Sequence, residues 1–357
     1  MLFRSRKGEL SVKVREFVLL AKALRPLPDK WHGLSDTDTR FRQRYVDLVV
    51  NEDARRIFQV RFATLAAIRD FLGARGFVEV ETPVLHDQAG GAAARPFLTH
   101  HNTLDMELVL RIALELHLKR LIVAGFDRVF EIGRVFRNEG LSTRHNTEFT
   151  MLELYEAFVD YGEMASLTEE LVAHCARVAT GSTLVDLEGE PFELAPPWRR
   201  LTMRDAIREH AGVDVHPSMP VEEVRALCDR FEVPYEDTWG SGKLMLEIYE
   251  KTTEHALRGP VFVMDYPREV SPLARVHRDD PLLTERFEVI IAGRELANAF
   301  SELNDPLDQR ERFEAQARLA AAGDDEAHGV DEDYLRAMEY GLPPTGGLGI
   351  GVRSEEH

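Results

Sequence analysis

Apolar residues recur along this chain with two different periods, and the changes of period mark out its elements. Over 51–76, Ile57, Val60, Leu65, Ile68 and Leu72 fall near a spacing of 3.6, which predicts an amphipathic helix. Asn51 provides a side-chain cap at its start, and Gly73 and Gly76 mark its end. A second helix is predicted over about 112–123. Between the two, "GFVEVETPVL" (76–85) alternates and places Val78, Val80, Thr82 and Val84 on one face, on either side of Pro83. Period two also governs 129–137 and 149–157, predicting strands that bracket a loop. Residues 2–21 alternate around Lys7-Gly8 and read as a β-hairpin, and "LRPLPDKWHGL" (24–34), with Pro26 and Pro28, reads as an extended linker.

From residue 163 the texture is helical, with a polar break at "LEGEPFELAPPWRR" and a small helical insertion at about 199–258. Strands return at "PVFVMDYP" and "RFEVIIAGREL". In the latter, Glu288 and Glu295, with Glu302 beyond, are spaced seven apart as on a solvated helical stripe. The β-branched "FEVII" and the turn at Ala292-Gly293 favour a hairpin instead. "GDDEAHGVDEDY" (323–334) reads as an acidic, solvated segment, and "GLPPTGGLGIGV" (341–352) is glycine-rich.

The 357 residues suffice for one large domain with an insertion or for two domains, and 44% hydrophobic content leaves material for a core. The formal charge of −18 excludes a grip on nucleic acid by bulk charge alone. Cys175 and Cys228 lie far apart without ligand-like company, which suggests a reducing compartment rather than a disulfide framework or zinc site. No apolar run approaches the ~20 residues of a membrane span, and "MLFRSRKGEL" lacks the apolar core of a signal peptide. A cytoplasmic protein with no membrane contact is expected.

Candidate chemistry concentrates at 137–148, where Arg137, Glu139, Arg144, His145 and Glu148 stand between the two predicted strands. Period two puts Glu131, Gly133, Val135 and Arg137 on one face of the first strand, and Phe149, Met151, Glu153 and Tyr155 on one face of the second. If the strands pair, a guanidinium, a ring, a carboxylate and a phenol share a surface. The planar arginine fork suits phosphate or carboxylate, and Phe149 offers a stacking surface for a base. The plainer alternative is that Phe149 and Met151 are core and Arg137 pairs with Glu153. His100-His101 has no further ligand at suitable spacing and reads as structural.

Several segments resemble the motifs of class II aminoacyl-tRNA synthetases, and among them the lysyl-tRNA synthetases. "GFVEVETPVL" is similar to the first motif, "FRNEGLSTRHNTEFTMLELY" to the second, with Thr147 where many relatives carry proline, and "GLPPTGGLGIGV" to the start of the third. "LRPLPDKWHGLSDTDTRFRQRYVDLVVN" and "SPLARVHRDDPLLTERFEVIIAGRELANAFSELNDP" resemble segments particular to the lysyl enzymes.

The resemblance implies an α+β fold, a six-stranded antiparallel sheet flanked by helices. Residues 1–30 would be the remnant of an N-terminal OB barrel, 31–352 a catalytic domain carrying the helical insertion, and 353–357 a divergent tail. It implies that Arg137 contacts the α-phosphate of ATP and the carboxylate of lysine, and so acts as the catalytic residue. Glu139, His145 and Asn146 would address the nucleotide, Arg144 the γ-phosphate, and Phe149 would stack on adenine. Glu115 and the backbone at Gly91 would hold the α-ammonium of lysine. Glu153, Tyr155 and Glu302, assisted by Asn298, would receive its side-chain ammonium, while Glu288 and Glu295 would hold Mg2+.

The activity implied is that of a lysine-tRNA ligase, using ATP, L-lysine and tRNA(Lys), and a homodimer formed through the first motif and Pro83. Binding of tRNA is expected to be weak, since most of the barrel is missing. Arg353 and Ser354 stand where the family's third motif has aspartate and arginine, so slow activation is expected of the chain. Two alternatives follow from these departures: a paralogue that activates lysine for a protein such as elongation factor P, and a non-catalytic, synthetase-like regulatory dimer.

Overall fold

A computed structural model of the chain describes residues 2–4, 7–28, 34–138, 140, 146–187, 189–321 and 329–352. The chain divides after Phe58 into two compact units. In the first, β1 (Leu2–Arg4) and β2 (Leu10–Val12) pair antiparallel. The turn between them uses Gly8 at φ 84°, a conformation that favours glycine. This hairpin is shorter than the alternation through residue 21 predicts. Residues 13–28 carry no strand, and Phe17 and Leu20 are exposed there, so no neighbouring face rewards the pattern. Helices α1 (Thr37–Arg42) and α2 (Arg44–Val50) follow, with Asp47 buried between Arg40 at 2.9 Å and Arg44 at 2.5 Å. The division falls inside α3 (Glu52–Ala74), which Asn51 caps through its Oδ1, accepting from the Asp53 and Ala54 N–H groups at 3.1 and 3.3 Å.

The second unit begins with short strands, β3 (Val78–Glu79), β4 (Leu85–His86), β5 (Leu98–His101) and β6 (Met106–Leu110). The alternation over 76–85 therefore yields less strand than expected. Pro83 has no N–H for a ladder, and Val78 and Val84 lie exposed. His100 and His101 sit on exposed β5, with the His100 ring 2.9 Å from Glu107.

Helix α4 (Glu115–Val123) starts three residues later than the periodicity predicts. Strands β7 (Arg128–Phe136) and β8 (Glu148–Ala157) match their prediction to one residue. After α5 (Tyr161–Thr180), the polar break folds into a hairpin of β9 (Leu184–Leu187) and β10 (Glu190–Glu193). Then come β11 (Arg199–Thr202), α6 (Met203–Ala211), α7 (Val221–Arg230), α8 (Ser241–Thr252), β12 (Val261–Met264), β13 (Arg286–Ile291), β14 (Arg294–Ser301), α9 (Pro306–Ala321), α10 (Glu332–Glu339) and β15 (Thr345–Gly351).

Eight strands form one sheet in the order β11-β12-β13-β14-β15-β8-β7-β3. The six from β12 to β7 are antiparallel throughout, and a short parallel strand closes each edge. Period two sorts the side chains of β8 onto two faces. Leu152 and Leu154 pack with Phe71 and Leu72 of α3 and Met164 and Leu171 of α5. Met151, Glu153 and Tyr155 point the other way, towards α4, α9 and α10. The insertion α6–α8 buries its own apolar cluster against Val261, Val263 and Ile290. Of the acidic segment, 323–328 lies outside the described residues; in the remainder Gly329, Glu332 and Asp333 are exposed as expected, while Tyr334 is buried. Asp331 caps α10 by accepting from the Tyr334 N–H at 2.7 Å, and Tyr334, Leu335 and Met338 form a buried stripe. Acidic neighbours masked that helical period in the sequence.

Candidate active site

Strands β7 and β8 pair with Glu131 opposite Glu153, Gly133 opposite Met151 and Val135 opposite Phe149, so the side chains expected on a common face do share it. That face floors a cavity of about 470 Å³. Gly91, Glu115, Arg137, Phe149, Glu153, Tyr155, Glu288, Glu295, Asn298 and Glu302 all line it. Asn146 is half-buried and stands outside the lining, while Glu139, Arg144, His145 and Arg353 lie outside the described residues.

Arg137 leaves the end of β7, its backbone N–H held by the Thr147 carbonyl at 2.8 Å. Its guanidinium stands 5.3 Å from the centre of the Phe149 ring and its Nε reaches the Ile112 carbonyl at 3.4 Å. Glu153 takes other partners: its carboxylate accepts from the Leu114 N–H at 2.9 Å and the Tyr155 hydroxyl at 3.0 Å. Arg137 thus presents a cation beside an aromatic face at the cavity wall, a pair suited to an anion carrying a flat ring.

The other end of the cavity is acidic. Glu115, Glu153 and Glu302 are all buried there, beside Tyr155. Burial, reinforced by the charge of Glu115, pushes the Glu153 carboxyl up to about 7. Burial likewise raises Glu302 and Glu115, partly offset by Lys119. Glu302 Oε1 finds no hydrogen-bond partner among the described residues, an acceptor left open in a buried place. Glycine on β15 makes this arrangement possible. A Cβ at Gly347 would collide with Glu302 Oε1 and approach the Tyr155 ring to 2.7 Å. Gly91, at φ 87°, lets the backbone run against the start of α4, where a Cβ would lie 3.1 Å from that of Ala113 and 3.3 Å from that of Glu115.

Glu288 and Glu295 stand on β13 and β14, joined by the turn at Ala292 and Gly293, both at positive φ. The charge of Glu288 raises the Glu295 carboxyl, although Glu295 itself is exposed at the start of β14. Two carboxylates close enough to repel each other beside a cavity fit a small hard cation, whose other oxygens would come from a ligand. Among the described residues no cluster of three His, Cys, Asp or Glu could hold a metal without such help.

Two participants escape the sequence reading. Lys119, fully buried, pairs with both Glu115 and Glu302. Its signal was present: Lys119 lies four residues after Glu115 on one helix face, the spacing of a helical ion pair. Arg286 donates to Glu288 at 2.6 Å and Asn298 at 3.1 Å, over the Tyr266 ring. Period two on "RFEVII" places it beside Glu288, though the pattern alone does not aim it at the cavity.

Comparison with known proteins agrees with this geometry. Residues 36–353 match the family model of class II tRNA synthetases (D, K and N). The chain is 56% identical over 351 residues to a lysine–tRNA ligase of Moorella thermoacetica, covering 98% of this chain and 72% of that protein. It is 56% identical over 350 residues to that of Nostoc punctiforme, covering 98% of this chain and 62% of that one. With the lysine–tRNA ligase of Bacillus subtilis it shares 54% over 351 residues, 98% of this chain and 70% of that protein. The chain thus spans between 62% and 72% of the length of these relatives. With the two motif strands, the glycine-rich β15 and an antiparallel sheet in place, the chain belongs to the class II tRNA synthetases, on their lysyl branch.

Proposed function

We propose that this chain activates lysine with ATP and transfers the lysyl group to tRNA. The observation that carries this reading is the acidic end of the cavity, where Glu153, Tyr155 and the open Oε1 of Glu302 converge in a buried space. Buried carboxylates with an unfilled acceptor suit an ammonium that brings its own charge. They reject an apolar side chain, which would leave them unpaired.

In this scheme Glu153, Tyr155 and Glu302 receive the side-chain ammonium, with Asn298 in support. Glu115 and the Gly91 backbone hold the α-ammonium. Arg137 orients the lysine carboxylate and the α-phosphate for in-line attack, and Phe149 stacks on adenine. The carboxylate is ionised at neutral pH, so no general base is needed, and placement supplies most of the acceleration. Arg144, Glu139, His145 and Asn146 are assigned to the nucleotide by family resemblance. Mg2+, held by Glu288 and Glu295, would neutralise charge on the departing pyrophosphate. Arg286 fixes the Glu288 carboxylate at that edge of the site.

We further propose that the chain acts as a homodimer through the segment around Pro83, where Val78, Val84 and Leu85 lie exposed. No helix among the described residues is long and apolar enough to cross a membrane. Both cysteines are free, which suits work in the cytoplasm. Charging of a tRNA(Lys) transcript with labelled lysine tests the proposal. Lysine- and ATP-dependent label in the RNA is expected, and label incorporated equally from leucine or methionine would refute it.

A further inference from the structure

Glu115, Glu153 and Glu302 bring three carboxylates into one buried space. Three carboxylates so placed do not all stay ionised without a resident cation. That cation is Lys119. It rises from α4 four residues beyond Glu115, is fully buried, and pairs with Glu115 and Glu302 together. Its Nζ also lies 5.5 Å from the Phe300 ring centre and 6.0 Å from that of Tyr155. The groups facing it are Glu115 on its own helix, Glu302 after β14, Tyr155 on β8 and Tyr334 on α10, while Glu153 on β8 faces Glu115 and Glu302, Arg286 on β13 acts on Glu115, and Arg137 acts on Glu153. Glu115 and Glu302 line the cavity, whereas Lys119 does not. The ammonium therefore stands behind the two carboxylates.

We propose that Lys119 is a positioning residue for amino-acid selection, whose ammonium draws Glu115 and Glu302 towards their ionised forms against the effect of burial and turns them so that their remaining oxygens meet the two ammonium groups of a bound lysine. The inference rests on reading the cavity as a lysine site. Charge balance supports it. A bound lysine adds one carboxylate to the three of the protein, and its two ammonium groups join Lys119 and Arg137. Four negative charges then face four positive ones. Without Lys119 the same site carries a surplus negative charge, which it relieves by holding a proton on Glu115 or Glu302. Lysine must displace that proton to bind.

Calorimetry of lysine binding in two buffers of different protonation enthalpy reads this directly, for the natural chain and for Lys119→Met, which keeps length and loses charge. At pH 7 the natural chain, where Lys119 opposes the rise of Glu115 and Glu302, should release fewer than about two protons. Lys119→Met should bind lysine on the order of 10²-fold more weakly. It should also release about one further proton, regain affinity as pH rises, and keep its ATP affinity within about threefold. Lysine bound equally or more tightly by the variant with unchanged proton release would overturn the inference, because Lys119 would then be a competitor or bystander. Should the variant not fold, the natural chain decides alone, since release of two protons or more means that Glu115 or Glu302 was protonated despite Lys119. Failure of the natural chain to bind lysine at all would instead overturn the reading of the cavity, and this inference with it.

Discussion

Replacing Glu153 with glutamine removes a charge from the acidic end of the cavity while keeping its volume. Glu153 is buried, accepts from the Leu114 N–H at 2.9 Å and the Tyr155 hydroxyl at 3.0 Å, and lines the cavity. A charge-assisted hydrogen bond to a buried group contributes about 1.5–3 kcal/mol, and loss of a buried charge partner about 3–5 kcal/mol. The carboxyl is held up at about 7, so near pH 7 roughly half of the molecules must first lose a proton. That subtracts about 0.4 kcal/mol from the gain of the natural residue. With Glu302 still present, a loss of about 2–3 kcal/mol is expected, or about 30- to 150-fold in lysine affinity.

The sign of the pH effect is fixed. An ammonium ligand prefers the carboxylate, so lysine affinity of the natural chain should rise with pH through about 7 and level off above it. Below that range it should fall by up to about tenfold per pH unit. In Glu153→Gln this limb should vanish. Isothermal titration with lysine at pH 6, 7 and 8.5 measures both effects. A variant within about threefold of the natural affinity at pH 8.5, or one that keeps the limb, would refute the assignment of Glu153 to the ligand.

Other perturbations test other parts of the site. Gly347→Ala places a methyl against Glu302 Oε1 and the Tyr155 ring. It should cost about 1–3 kcal/mol by thermal denaturation and raise the KM for lysine more than that for ATP. Arg137→Lys keeps the charge and loses the fork, and should slow ATP–pyrophosphate exchange by about 10²–10³-fold at saturating substrates. Glu295→Ala should raise the Mg2+ concentration for half-maximal exchange by about tenfold or more, read from a magnesium titration. Sedimentation of the purified chain should show a dimer, and a stable, active monomer would contradict the role given to the surface around Pro83.

Period two was most legible over 129–137 and 149–157, where both flanks bury the alternating residues, and least so over 2–21 and 76–85. One face of β8 reads Phe149, Met151, Glu153, Tyr155, and that face is the cavity floor. The hairpin at Ala292-Gly293 was equally legible, because β-branched residues and a turn pair leave little choice of backbone. Strand β15 was not legible from propensity. Four of its seven residues are glycine, a poor strand composition, and it sits in mid-sheet because Glu302, Tyr155 and Met164 need the space. Lys119 was hidden for another reason. An i,i+4 ion pair reads as a solvated helix face until the tertiary fold buries it, and only the approach of Glu302, distant in sequence, shows that it is buried. The α10 stripe was masked by its acidic cap. Charge marks solvent exposure only when no apolar period lies beneath it.

The central claim is that lysine is the amino acid this cavity selects for adenylation. Lysine-dependent exchange of labelled pyrophosphate into ATP tests it most directly, run in parallel with ornithine, arginine, methionine and leucine at equal concentration. The account predicts exchange with lysine that exceeds every uncharged amino acid by at least about 10⁴-fold, as expected when buried acids would be left unpaired. Comparable exchange with methionine or leucine would contradict it, because Glu153, Tyr155 and Glu302 would then not meet the amino-acid side chain.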